Sequence, residues 1–83
     1  MDHYLLSAQT ATLAQRMAQS LRRCGVPSQI QRMPSALARQ GCGFALRLLP
    51  EDLPAARDCL EQGRIFPKRV YLYENGYYQE VSI

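Results

Sequence analysis

Tryptophan is absent from this chain of 83 residues, lysine occurs once (Lys68) and histidine once (His3). Cysteine occurs three times, with no Cys-x-x-Cys pair and no histidine nearby in sequence. A structural zinc site needs four suitably spaced ligands, so no metal is expected. A secreted disulfide scaffold is denser in cysteine, so reduced thiols are expected. No apolar run approaches the ~20 residues of a membrane-spanning helix, and the N-terminus lacks the basic and apolar regions of a secretory leader. These absences point to a cytoplasmic protein without membrane association. No glycine-rich loop precedes a helix, which leaves no cradle for a nucleotide phosphate.

What is there reads as a small folded domain. Hydrophobic residues make up 47% and charged residues 20%, a balance typical of globular chains. One domain over 1–83 is expected, with its core over about 3–73 and a C-terminal hairpin over 69–83. The net charge of +3 is carried almost wholly by arginine. The arginines are scattered, and only Arg22 and Arg23 are adjacent. That is the pattern of a solvated basic surface, and nucleic-acid binding is disfavoured.

Periodicity sets the elements. His3 to Ser7 is a short strand-like run. From Thr10, the residues Leu13, Ala14, Met17, Leu21 and Cys24 recur at helical spacing. Thr10 is the expected cap and Gly25 the stop. Val26 to Met33 alternates loosely between Pro27 and Pro34, and a polar loop is expected from Pro34 to Gly43. Phe44 to Leu49 reads as a strand. Asp52 is the expected cap of a second helix, with Pro54 in its first turn, Leu53, Ala56 and Leu60 inward and Gly63 at its end. Asn75-Gly76 between alternating runs predicts a hairpin with a type I′ turn. The order strand, helix, strand, strand, helix, strand predicts an α+β fold. It is a ferredoxin-like βαββαβ sandwich, two helices on one face of an antiparallel sheet, with the extra C-terminal β-hairpin.

Few residues are candidates for chemistry. Cys24 falls on the apolar side of the first helix and Cys59 beside Leu60 on the second, where cysteine behaves as a small hydrophobe. Glu51 and Asp52 are accounted for by capping, His3 by an exposed strand end, and Tyr71, Tyr73, Tyr77 and Tyr78 by cross-strand pairing. Cys42 differs. Gly41 and Gly43 flank it, so no neighbouring side chain shields its sulfur, and Arg39 and Arg47 are nearby cations that favour a thiolate. The same stretch also reads as a glycine-rich turn that happens to hold a small residue.

From Tyr4 to Tyr73 the chain resembles the Se/S (selenium/sulfur) carrier protein-like family of small bacterial domains. The resemblance rests on "HYLLSAQTATLAQRMAQSLRRCGVP", "CGFALRL" and "PEDLPAARDCLEQG". Its specific residues are Pro34, Leu37, Cys42, Gly43, Ala45, Leu46 and Arg47. Ser35 stands where the family often has a basic residue, and the loop before Cys42 is one residue longer. The resemblance implies that Cys42 carries sulfur or selenium as a persulfide or selenium adduct, with Gly41, Gly43, Arg39 and Arg47 in support. It implies donor and acceptor proteins as partners, no cofactor, and a stoichiometric carrier rather than a turnover enzyme. The alternative is a non-catalytic interaction or regulatory module, acting as a homodimer or by docking, with Cys42 incidental.

Overall fold

The structure is a computed structural model; it describes the backbone of residues 2–40 and 43–82, and the side chains of these apart from 38–40. Its elements are β1 (His3–Ala8), α1 (Ala11–Arg23), β2 (Gln29–Arg32), a 3-10 helix (Ser35–Gln40), β3 (Phe44–Leu48), α2 (Leu53–Gly63), β4 (Val70–Glu74) and β5 (Tyr77–Val81). The strands form one antiparallel sheet in the order β2-β3-β1-β4-β5. Each strand-helix-strand unit thus places a strand between the two of the other, the interleaving that a ferredoxin-like chain requires. The fold is α+β, with both helices on one face.

Register explains which side chains meet those helices. Leu6 stands opposite Leu46 of β3 and Val70 of β4, while Tyr4 faces Leu48 and Ala8 faces Phe44. Strand alternation sends all of these to one face. There they meet Ala14, Met17, Ala18 and Leu21 of α1, and Ala56, Cys59 and Leu60 of α2. Leu6, Met17, Leu21 and Leu46 are fully buried. Each such side chain contributes about 1.5–3 kcal/mol of burial free energy.

Helix α1 begins as its sequence demands. Thr10 is extended and its hydroxyl accepts the Leu13 N–H at 3.1 Å. The helix ends at Arg23 in a paired-bond cap: Val26 N–H reaches Leu21 O at 2.9 Å, Gly25 N–H reaches Arg22 O at 3.1 Å, and Gly25 is left-handed with φ 76°. Val26 is thereby drawn into the core, and β2 starts later than the alternation suggested, at Gln29.

Helix α2 departs from expectation at its start and ends, as expected, at Gly63. Asp52 makes no capping bond, because a 3-10 turn over Pro50–Asp52 runs straight into the helix and leaves Asp52 with helical dihedrals. The left-handed residue at the other end is Arg64, with φ 55°, rather than Gly63. Arg64 N–H bonds Glu61 O and Ile65 N–H bonds Leu60 O, the same cap as in α1. Gly63 is the last helical residue and lies beside Ser20 of α1, where a Cβ would make ordinary contact with the Ser20 hydroxyl at 3.4 Å.

The largest departure lies along the seam between α1 and α2. Cys24 and Cys59, expected as separate packing thiols, are joined by a disulfide across 35 residues of sequence, with Cα atoms 6.3 Å apart. Cys24 is the cap residue of α1 and is exposed, because the helix ends before its side chain can extend the buried stripe. The hairpin forms as expected. Asn75 and Gly76 both have positive φ, at 54° and 83°.

Candidate functional site

The sheet face away from the helices carries the segment that leads to Cys42. Leu5, Met33, Ala45 and Tyr71 are buried there as a second apolar cluster, with Leu37 and Tyr78 packed against it. Leu37 belongs to the 3-10 helix, so the Ser35–Gln40 part of the expected polar loop is a helical turn resting on the sheet. Leu37 N–H bonds Pro34 O at 2.9 Å to close it, and Met33 N–H bonds Gly43 O at 3.0 Å where the segment rejoins β3.

An aromatic row borders this cluster. His3 stacks on Tyr73 with ring centroids 4.9 Å apart, and Tyr73 meets Tyr78 at 4.7 Å. The register causes it, since His3 pairs with Tyr73 and Tyr73 with Tyr78. His3 is consequently 7% exposed, not the open strand end expected from its place in the sequence. Burial pushes the Tyr78 hydroxyl above its ordinary pKa, neighbouring Tyr73 adds to the shift, and the Arg47 cation opposes it.

The expected site residues are distributed unevenly over this frame. Cys42 and Gly41 lie outside the described residues, as does the side chain of Arg39, whose backbone is in the 3-10 helix. Gly43 is exposed, and a Cβ built on it would meet nothing within 4 Å. Among the described residues no crowding demands glycine there. What it leaves is open space at the start of β3. Arg47 is half-buried on the cluster's face, paired in register with Leu5 and Gln29. Four residues along the strand place its backbone roughly 13 Å from Gly43, and its charge acts on Tyr78.

The sulfur chemistry the sequence concealed lies on the other face. Cys59 is 5% exposed and Ser20, in the adjoining turn of α1, is also 5% exposed. Ser20 Oγ is 3.6 Å from Cys59 Sγ, and because a disulfide sulfur has no hydrogen, the hydroxyl is the donor. The Ser20 carbonyl oxygen is 3.2 Å from the same sulfur. One sign of this was available beforehand: Ser20 and Cys24 are one helical turn apart, and two helices on one sheet face must share a seam.

A family model described as "Putative Se/S carrier protein-like" matches residues 3–72. The chain belongs to this family. Comparison with curated proteins and with solved structures returns no match. The span matched to the Se/S carrier protein-like family contains Cys42 and both cysteines of the disulfide. Among the described residues, no group of three or more His, Cys, Asp or Glu could hold a metal ion. No helix among them is long and apolar enough to cross a membrane.

A cleft of about 440 Å³ opens between α2 and the C-terminal hairpin. Arg57, Phe66, Lys68, Arg69 and Glu80 line it, without cysteine or histidine. Arg69 Nη1 is committed to Glu80 at 3.0 Å. This cleft offers no nucleophile for sulfur chemistry of its own.

Proposed function

We propose that the protein is a sulfur or selenium carrier in which Cys42 is the carrier thiol. The observation that carries this reading is the family match over residues 3–72, within which Cys42-Gly43 opens the apolar strand segment. The disulfide narrows the choice of sulfur: Cys24 and Cys59 are each other's partner, so neither is a free nucleophile while the bond stands. A carrier thiol also needs to be free of a neighbour that would resolve its persulfide into a disulfide, and the same bond removes both candidates.

In this reading the Cys42 thiolate attacks the outer sulfur of a donor's persulfide, and the donor leaves as a thiolate. Cys42 then holds the transferred atom as Cys42–S–SH, or its selenium analogue, until an acceptor thiolate takes it. Gly41 and Gly43 leave room for a partner's sulfur, Arg39 supplies cationic charge that favours the thiolate, and Arg39 and Arg47 together attract acidic partners. The 3-10 helix, fastened through Leu37, gives this segment a fixed origin on the sheet. The carrier acts as one domain in the cytoplasm and is consumed and regenerated stoichiometrically, without a cofactor. Its partners are the donor and acceptor proteins and, through an open sheet edge, a second copy of the chain.

The test is intact-mass spectrometry after incubation with a cysteine desulfurase and cysteine, with selenocysteine in place of cysteine as a parallel arm, so that the donor carries the atom as R–S–SH or R–S–SeH. A single added sulfur or selenium that disappears in Cys42→Ser supports the reading. An adduct that persists in Cys42→Ser, or no adduct, overturns it. A stable complex indifferent to Cys42→Ser would instead favour an interaction module.

A further inference from the structure

The two sulfurs of the Cys24–Cys59 bond are unlike one another. Cys24 is an exposed residue at the turn that ends α1, between the exposed Arg23 and Gly25. Cys59 is buried in the seam between α1 and α2. The turn does not depend on the bond, because Cys24 N–H is held by Ser20 O at 3.2 Å and Leu21 O at 3.1 Å. A helix cap satisfied by its own backbone keeps its shape when the disulfide opens.

The seam is furnished for the reduced state as well as the oxidised one. A Cys59 thiolate would accept the Ser20 hydroxyl already directed at it from 3.6 Å. Once protonated, it would donate to the Ser20 carbonyl oxygen 3.2 Å away, a contact the disulfide cannot use as a hydrogen bond. Ser20 is itself buried, and the one hydrogen bond of its hydroxyl described here is to this sulfur. A buried hydroxyl needs a partner, and this one is satisfied in either redox state.

We infer that Cys24–Cys59 is a thiol–disulfide exchange site, separate from Cys42, whose substrate is an external thiol. An incoming thiolate attacks Cys24 Sγ, forming a mixed disulfide as the Cys24–Cys59 bond breaks. The electron pair departs on Cys59 Sγ, where the Ser20 hydroxyl stabilises it until water supplies a proton. A second thiolate attacks the incoming sulfur of the mixed disulfide, releasing a disulfide of the external thiol and a Cys24 thiolate, which is protonated in turn. Two thiols are oxidised and the protein disulfide is reduced to two thiols; a dithiol protein would supply both equivalents. Attack falls on Cys24 because exchange requires access to the sulfur being attacked; Cys59 is the sulfur that leaves, and the Ser20 hydroxyl offsets part of the cost of a buried thiolate there. The exposed cations Arg22 and Arg23 beside Cys24 favour thiols that carry negative charge.

The experiment uses Cys42→Ser protein, so that its outcome is independent of the carrier reading. It is equilibrated with reduced and oxidised glutathione without denaturant, acid-quenched, alkylated and mapped by peptide mass spectrometry. The expected result is glutathione on Cys24 with Cys59 trapped as a free thiol, and native circular dichroism in the reduced state. Ser20→Ala should slow reduction about fivefold, the worth of one hydrogen bond to the leaving sulfur. The same mapping on the unsubstituted chain covers the case in which Cys42→Ser fails to fold. Reduction only in denaturant, glutathione on Cys59 first, or an undiminished rate in Ser20→Ala would overturn the inference.

Discussion

Opening the Cys24–Cys59 bond should cost this protein a large share of its stability. The bond closes a loop spanning 35 residues of sequence. Chain-entropy reasoning for a loop of that length assigns it about 4 kcal/mol at 25 °C. The reduced state recovers up to about 1 kcal/mol if Cys59 donates to the Ser20 carbonyl, which leaves a net loss of about 3 kcal/mol. A chain of this size has about 4–12 kcal/mol in total, so the reduced protein stays folded with a thin margin. The assay is urea unfolding of Cys42→Ser protein, followed by circular dichroism, oxidised and then fully reduced. With a slope of about 1 kcal/mol/M, the midpoint should fall by about 3 M. The slope itself should rise on reduction, because an uncrosslinked denatured chain exposes more surface. A loss below about 1 kcal/mol, with alkylation proving both thiols free, would refute the loop-entropy argument.

Three further outcomes are expected. Thr10→Ala removes the oxygen that accepts Leu13 N–H and should destabilise the protein by about 1 kcal/mol in the same unfolding assay. Arg64→Gly relieves a left-handed conformation, and after the added chain entropy of glycine it should stabilise by about 0.5–1 kcal/mol, read as a higher midpoint. Tyr78 binds its proton more tightly in the folded than in the unfolded state, so its contribution is complete below the ordinary tyrosine pKa of about 10 and is lost as pH rises through the raised folded value. Ultraviolet titration should therefore show a late-ionising component that is missing in Tyr78→Phe, and that variant should lose less stability in alkali than the unsubstituted chain.

Features governed by local chemistry were legible in the sequence. The stripe Ala14, Met17 and Leu21, the Thr10 cap and the Asn75-Gly76 turn are each decided within a few residues, and all three are present. The interleaved strand order followed from the alternation of strand and helix. Features decided by register were hidden. The 3-10 helix over Ser35–Gln40 has no periodic stripe, and among its described side chains Leu37 meets a cluster assembled from four other parts of the chain. His3 is buried because β1 brings it beside Tyr73, a residue distant in sequence. The disulfide needed the relative position of two helices, and neither helix shows its cysteine to be paired when read alone. The stop at Gly63 was legible, but not that Arg64 would be the left-handed residue after it. For the site, the sequence singled out Cys42 by its glycine neighbours, and the fold contributes the anchored approach through Leu37 and the open space at Gly43.

The fifth strand has a consequence for how the molecule behaves in company. The family match ends at residue 72, inside β4, and β5 lies beyond it. Backbone pairing from Val70–Val81 to Glu74–Tyr77 covers a margin of β4 that a shorter chain would leave bare. That margin belongs to a strand carrying Tyr71, Leu72 and Tyr73, a composition suited to recruiting other strands. A cut at the Asn75-Gly76 turn that released β5 would spare both helices and the disulfide, yet bare the margin of β4 that β5 covers. The residues after that turn move the sheet's open edge from apolar β4 to β5, which carries Gln79 and Glu80 and is the edge proposed above to meet a second copy.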